Sequence, residues 1–433
     1  MNNKTQYAYI FIILSTLIFS FYFKIDISNG GASSDLRYHW EYIVGLKNSL
    51  GILMQDNILN EEPYPKHFPL HHIIVSRISF LSNDLDNYLN FYFIFSLFLP
   101  VLFYFCIDNR FPEIEVRKKI FISSIIYLFP NYQAASIWGN SHITGLYFFL
   151  GSLYFLINLE KIGKNINLNI FFIIFFMACA VYTKQYYAIF FPYLFISIIK
   201  ITKIKNIIFF CLTSLIISVP GWLLVYKHPA LFHSLDSKTT DFKSSILIVL
   251  SIIFVYLIPF FISNFKFKIL EINRLLKNKN SLLFLFCLLI IFFYCLVGFN
   301  YNGYIGGGLF FKISKIFLES NIFFFIISFL SLLLCFYYFK ERIEDIFLIT
   351  IITISFSTGW MIFHKYFEPM LIFCIFLLIK KDFVKKILNF NYHIVFFYFF
   401  IYWSIYFLYS EQIFKKVNLL LPSLSQVFWI NIM

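Results

Sequence analysis

Apolar runs long enough to cross a bilayer recur along almost the whole chain and constrain its fold more than any motif does. A transmembrane helix needs roughly 17 to 25 mostly apolar residues. Such runs fall near 7–23, 88–107, 120–137, 141–158, 170–183, 186–199, 207–226, 244–264, 282–299, 320–339, 346–362, 367–379 and 393–410. They predict an all-α, polytopic transmembrane helical bundle of about 13 spans, a single integral membrane domain over residues 1–433. Only 13% of the residues are charged, against about 25% in a soluble domain. Phe supplies 63 residues and Lys outnumbers Arg by 29 to 6, the profile of a very AT-rich coding sequence. Single aromatics therefore carry little functional information.

The small residues Gly31, Ala32 and Ser33 could follow a cleavable signal. The apolar stretch before them is longer than the usual roughly 7 to 15 residues and is led by Lys4 alone, which favours a retained signal anchor. All seven cysteines fall in predicted spans without a C-x-x-C pair, which argues against disulfides and thiolate metal sites.

The net charge of +13 points to nucleic acid only if its distribution is ignored. With the N-terminus inside, every second connection (108–119, 159–169, 200–206, 265–281, 340–345 and 380–392, together with Lys4) carries 21 of the 35 Lys and Arg residues. The others are spread over longer segments, chiefly 24–87, 227–243, 300–319 and 411–433. That density predicts a cytoplasmic N-terminus and large external loops.

The longest external connection is 24–87, and a loop of that length in a compact protein is usually functional. Within it "SSDLRYHWEYIVGLKNSLGILM" reads as an amphipathic helix, with Ser33 or Ser34 as cap, Asp35 in the first turn and apolar residues at helical spacing from Leu36 to Leu50. A second stretch, "YPKHFPLHHIIVSRISFL", follows a Pro-bounded turn. Both are expected to lie on the external membrane face.

On that side the polar residues collect: Asp35, Arg37, His39 and Glu41; Lys66, His67, His71, His72 and Arg77; Asn140 and His142; Lys184 and Gln185; Asn300, Asn302, Lys312 and Lys315; His364, Lys365 and Glu368. Asp35 and His39 are one helical turn apart and can meet on one face. They read either as a capping Asp beside an interfacial His, or as a general base on a hydroxyl with its orienting imidazole. His71 and His72 are adjacent and point different ways, which suits head-group contact better than a two-His metal grip. Lys184 interrupts an apolar run from 170 to 199, where it marks a functional cation or a tight turn. His364 and Lys365, between two spans, pose the same choice. "NGYIGGG" (302–308) lacks the spacing of a phosphate loop and reads as close backbone approach, a lid or a plain loop.

The layout resembles the GT-C superfamily, polytopic glycosyltransferases that use polyprenyl-phosphate sugars. The shared features are an N-terminal span, a long external first loop with an acidic residue near its start, a Pro-containing segment ("EPYPKHFPLHHII") and many spans with short cytoplasmic turns. A weaker similarity is to the dolichyl-phosphate-glucose alpha-1,2-glucosyltransferase family. It rests on Asp35 and His39 four positions apart, on "YTKQYY", where Lys184 and Gln185 stand for an Arg-Gln pair, and on "NGYIGGG".

The resemblance implies a membrane glycosyltransferase of cell-surface glycan or lipid-linked oligosaccharide assembly, with Asp35 as catalytic base. His39, Arg77, Lys184, Gln185, Asn302, Lys312, His364 and Lys365 become candidate substrate contacts. The implied partners are a polyprenyl-phosphate sugar donor, a glycan or lipid-linked acceptor and membrane lipids, with no nucleic acid. His39 or His364 could bind sugar, phosphate or a divalent cation, and no metal ligand set is assigned.

The alternatives are a lipid-linked oligosaccharide flippase or transporter and a repeat-unit polymerase. A transporter would be expected to carry ionisable groups at mid-span or internal repeats. A polymerase would be expected to carry arginines in loops such as 227–243 and 300–319, which contain none.

Overall fold

The computed structural model describes residues 3–28, 31–48, 50, 68–162, 165–228, 241–263, 279–301, 306–339, 342–359, 362–388 and 391–410. Every regular element among them is a helix. Among the described residues seven helical segments are long and apolar enough to cross a bilayer: Thr5–Tyr22, Leu85–Arg110, His142–Lys161, Ile204–Lys227, Phe242–Ser263, Ile322–Phe339 and Tyr392–Tyr409. A bent pair, Val116–Leu128 with Pro130–Ile137, makes eight if counted as one span.

The chain is thus a polytopic helical membrane protein, but thirteen spans are not shown. The runs at 170–183, 186–199, 346–362 and 367–379 form helices of only 16, 12, 15 and 8 residues. At about 1.5 Å per residue the longest of these covers roughly 24 Å, short of a hydrocarbon core of about 30 Å. The run at 120–137 is one span in the sequence and two helices in the structure, meeting at 70°. Pro130 is the cause: the residue before a proline is pushed out of the helical region, and Phe129 is extended at φ −79°, ψ 119°.

The chain divides into two compact units, Met1–Ser234 with Tyr402–Ile413, and Leu235–Ile401 with Phe414–Met433. The first contains α1 (Asn3–Tyr22), α2 (Gly31–Asn48), α3 (Leu70–Ser76), α4 (Ser79–Ser82), α5 (Leu85–Leu97), α6 (Leu99–Arg110), α7 (Val116–Ser124), α8 (Pro130–Ile137), α9 (His142–Ile162), α10 (Ile166–Val181), α11 (Phe190–Ile201) and α12 (Ile204–Lys227). Among the described residues its most extensive helix–helix contact is α9 on α10, where a Cβ at Gly151 would stand 3.1 Å from the Phe176 ring.

Tyr182, just past α10, repairs a break in α12. Pro220 lies inside α12, and such a proline both removes a backbone donor and disturbs the preceding turn. The Tyr182 hydroxyl sits in the opened ladder, accepting from Gly221 N at 3.2 Å and donating to the Ile217 carbonyl. A Cβ at Gly221 would fall 2.8 Å from that ring. Tyr182 also accepts the backbone N–H of Leu70 at 2.9 Å, which fixes the start of α3. The opposite end of this unit is held by the buried Lys119, whose Nζ donates to Asp108 at 2.5 Å.

The second unit is built around α13 (Phe242–Ser263), 15 of whose 22 residues are buried. By contrast, α12 is 11% buried. Against α13 pack α14 (Lys279–Leu296), α15 (Gly308–Phe317), α16 (Ile322–Phe339), α17 (Ile343–Ser357) and α18 (Met370–Leu377). Next come α19 (Lys381–Leu388) and α20 (Tyr392–Tyr409), which passes into the first unit at Tyr402.

Candidate functional site

In the first unit the site begins at the N-terminus of α2. The expected Ser33 or Ser34 cap is not what the structure uses. The helix starts at Gly31, two residues before Ser33 and three before Ser34, so Asp35 stands beyond the first turn. The free N–H groups of that turn are taken by Asp26 and Ser28: Ser33 N donates to Asp26 Oδ2 at 2.7 Å and Ala32 N to Ser28 Oγ at 2.7 Å. A buried carboxylate at a helix N-terminus also meets the positive end of the helix dipole.

The buried face of α2 is Ala32, Leu36, His39, Tyr42, Ile43 and Leu46. His39 therefore points inward, while Asp35, one turn earlier, is half-buried and accepts a hydrogen bond from Asn140 Nδ2 at 3.3 Å. Arg37 and Glu41, on the outer side, pair with each other at 2.9 Å. Arg77 donates through Nη2 to the Leu46 carbonyl at 3.1 Å, so this candidate substrate contact also ties down the last turns of α2.

The second stretch of the first loop is α3, and its histidines face the protein. His71 and His72 are both buried, which corrects their assignment to lipid head groups. Their rings diverge, at 82° to one another. His72 Nε2 lies 2.7 Å from His39 Nδ1, with the two rings stacked. His71 Nδ1 meets Thr144 Oγ1 at 2.9 Å and its Nε2 meets the Tyr88 hydroxyl at 3.0 Å. Tyr88 donates to the Gly139 carbonyl, and Tyr92 lies 2.9 Å from the Asn140 carbonyl and 2.7 Å from Thr144 Oγ1. Asn140 Oδ1 in turn accepts from His142 N at 3.0 Å.

Lys184 joins this group through charge. It is extended (φ −146°, ψ 113°) between the end of α10 and a tight turn, Gln185–Ile189. The break expected at Lys184 is therefore present. Burial, with the Lys184 cation adding to it, holds the His71 imidazole down at about 3. Beyond Gln185, the Tyr186 hydroxyl meets His142 Nδ1 at 2.6 Å. Asp35, His39, Lys184 and Gln185 thus share one end of the first unit.

The remaining candidates lie in the second unit. Leu309 N donates to His364 Nε2 at 3.0 Å, which makes that nitrogen an acceptor and leaves the proton of the neutral ring on Nδ1. Nδ1 faces the Tyr256 hydroxyl at 3.3 Å and Glu368 Oε1 at 4.0 Å, and Tyr256 donates to Glu368 at 2.8 Å. Burial, followed by the charge of Lys312, lowers His364 to about 3.

Gly306, Gly307 and Gly308 have φ of +80°, +83° and +79°, a region that favours glycine. Gly307 N donates to the Ile362 carbonyl at 3.0 Å. For Gly306–Gly308 the structure supports close backbone approach among the three readings of "NGYIGGG". Asn302 falls outside the described residues, as do Lys66 and His67. Lys365 Nζ rests 5.2 Å from the centre of the Phe363 ring.

Among the described residues no three His, Cys, Asp or Glu side chains form a group able to hold a metal ion. Sequence reasoning passed over Asp26, Tyr88, Tyr92, Thr144 and Tyr256. Tyr88 and Tyr92 have the four-residue spacing of one helix face, but that signal is lost among 30 Tyr and 63 Phe.

Fold and site together define a polytopic helical membrane protein with a buried histidine and tyrosine network at one end of its first unit. No protein-family model matches the chain, and comparison with curated proteins and with solved structures yields no match either.

Proposed function

We propose that the protein is a GT-C-type membrane glycosyltransferase that moves a sugar from a polyprenyl-phosphate donor to a glycan or lipid-linked acceptor on the external face of the inner or plasma membrane, with its N-terminus in the cytoplasm. The observation that supports this reading is the placement of Asp35. It is the acidic residue of the first-loop helix, half-buried and held by Asn140 in the neighbourhood that also contains His39 and Lys184.

In this reading the Asp35 carboxylate takes the proton of the acceptor hydroxyl. The acceptor oxygen bonds to the anomeric carbon with inversion, and the bond from that carbon to the phosphate oxygen breaks. The lipid phosphate leaves with the electron pair, and the Lys184 cation stabilises the developing charge.

The test is reconstitution of the full chain with labelled polyprenyl-phosphate sugars. Sugar transfer by the wild type and a loss of at least about a hundredfold in Asp35→Asn are expected. Undiminished transfer by the variant would remove Asp35 as the base, and lipid translocation without transfer would favour the flippase reading.

A further inference from the structure

We propose that the groove between the carboxyl ends of α6 and α9 is a binding site for an anionic glycerophospholipid of the phosphatidylglycerol class. The groove lies within the first unit, has a volume of about 420 Å³, and its walls include Leu102, Phe105, Asp108, Asn109, Tyr154 and Lys161.

It is remote from Asp35. His142, at the start of α9, is tied to Asp35 through Asn140, and Lys161 stands 19 residues further along the same helix. At about 1.5 Å per residue that is roughly 28 Å, so the groove opens at the other face of the bilayer.

The lining changes with depth. On α6, Leu102 and Phe105 precede Asn109 by about two turns and one turn, and on α9 Tyr154 precedes Lys161 by about two. The apolar walls therefore reach about 10 Å deeper than the polar ones. Phe105 is 54% exposed there. A ligand that satisfies both levels is amphiphilic, with an acyl chain along Leu102, Phe105 and Tyr154 and a head group beside Asn109 and Lys161.

The head-group level is braced by a pair of amides. Asn109 Nδ2 donates to Asn158 Oδ1 at 2.5 Å, which leaves Asn109 Oδ1 to accept from Lys161 Nζ at 3.2 Å. Lys161 Nζ also donates to the Asn109 carbonyl at 3.4 Å. Two of the three ammonium protons are thus spent on holding the cation to the groove wall, and one is left for a ligand.

The charges select the head group. Asp108 is the carboxylate on the wall, and the buried Lys119 already holds it at 2.5 Å. The carboxyl end of each helix brings about half a negative charge. Arg110 and Lys161 stand in the two last turns and offset it. What remains is about one positive charge, presented to the groove by Lys161, whose printed partners are the two neutral oxygens of Asn109. The connections that flank the groove, 108–119 and 159–169, agree in sign, with six Lys and Arg against four Asp and Glu. Basic pockets between spanning helices are favoured sites for anionic head groups. A phosphodiester with a single negative charge and an uncharged polyol matches this one. An ethanolamine or serine head group would need Asp108 as a second partner for its ammonium, and Lys119 occupies that carboxylate.

The experiment is native mass spectrometry of the full chain in detergent, titrated with dioleoyl-phosphatidylglycerol, dioleoyl-phosphatidylethanolamine, dioleoyl-phosphatidylcholine or glycerol 3-phosphate. One phosphatidylglycerol is expected to bind ahead of the other three. Lys161→Gln should weaken that binding about tenfold, and Lys161→Arg should retain most of it. Lys205→Gln removes the same charge from an exposed position on α12 and should leave the affinity unchanged. Leu102→Trp, which fills the apolar end of the groove with every charge in place, should also weaken binding, so the acyl part is tested apart from the cation.

Equal affinity for phosphatidylglycerol and phosphatidylcholine, or equal affinity of wild type and Lys161→Gln, would overturn the site. Tighter binding of phosphatidylethanolamine would overturn the charge selection, and equal binding of glycerol 3-phosphate would show a soluble-anion site in its place. No sugar transfer is measured, so the lipid site and the glycosyltransferase reading stand or fall separately.

Discussion

His39 Nδ1 and His72 Nε2 lie 2.7 Å apart, one imidazole on α2 and the other on α3, with both rings buried. The bond joins the helix that carries Asp35 to the helix that carries His71. Replacing either histidine by Ala removes one partner and strands the other nitrogen in the interior, at a cost of about 1 to 3 kcal/mol. The double replacement should cost clearly less than the sum of the singles, because the shared bond is lost only once. Denaturant midpoints of the four proteins in detergent check this, and additive costs would show that the pair does not interact.

His71 and His364 set the acid limit of the fold. Each is held at about 3 in the folded chain, against an ordinary value near 6.5. The unfolded chain therefore binds protons first as the pH falls. Their contribution is intact above about pH 6.5 and declines toward pH 3, each adding a slope of up to about 1.4 kcal/mol per pH unit. Thermal midpoints should fall between pH 6.5 and 4, more gently in His364→Gln at equal starting stability. A flat profile would contradict the neutral state of both rings.

Glycine is required at 306 for two reasons and at 298 for one. Both have positive φ, but a Cβ at Gly306 meets the Ile362 carbonyl at 2.8 Å, whereas one at Gly298 meets nothing within 4 Å. Gly298→Ala should cost about 1 kcal/mol from backbone conformation alone. Gly306→Ala should cost more, because the obstacle is backbone. Equal unfolding midpoints for the two variants would contradict the close approach.

Asp26 is expected to behave as a capping residue. Asp26→Ala should lower stability by about 0.5 to 2 kcal/mol. Ser34→Ala should lie within about 0.5 kcal/mol of wild type. A larger loss in the serine variant would restore the cap read from the sequence.

The sequence was most informative where one residue type forces one outcome. Lys184 cannot continue an apolar helix, and the structure breaks there. The helical class and the repeated spans followed from hydropathy alone. The span count did not, because runs such as 170–183 and 367–379 form helices of only 16 and 8 residues, and the run at 120–137 conceals the turn imposed by Pro130. The cap of α2 was misplaced at Ser33 or Ser34 because Asp26, seven residues before Ser33, reaches forward to its backbone. Contacts of that kind leave no periodic trace. The same is true of Tyr256, which is one aromatic among many in α13 until Glu368, 112 residues away, accepts its hydrogen bond.

The repair of α12 by Tyr182 divides that helix into two regimes of evolutionary constraint. Most of its residues face outward, so there selection acts on hydropathy, and Leu, Ile, Val and Phe can replace one another freely. Around Pro220 and Gly221 the helix depends on the single hydroxyl of Tyr182, just past α10. Drift at Tyr182 is therefore tolerable only when position 220 or 221 changes with it, and the two sites should be inherited as a pair.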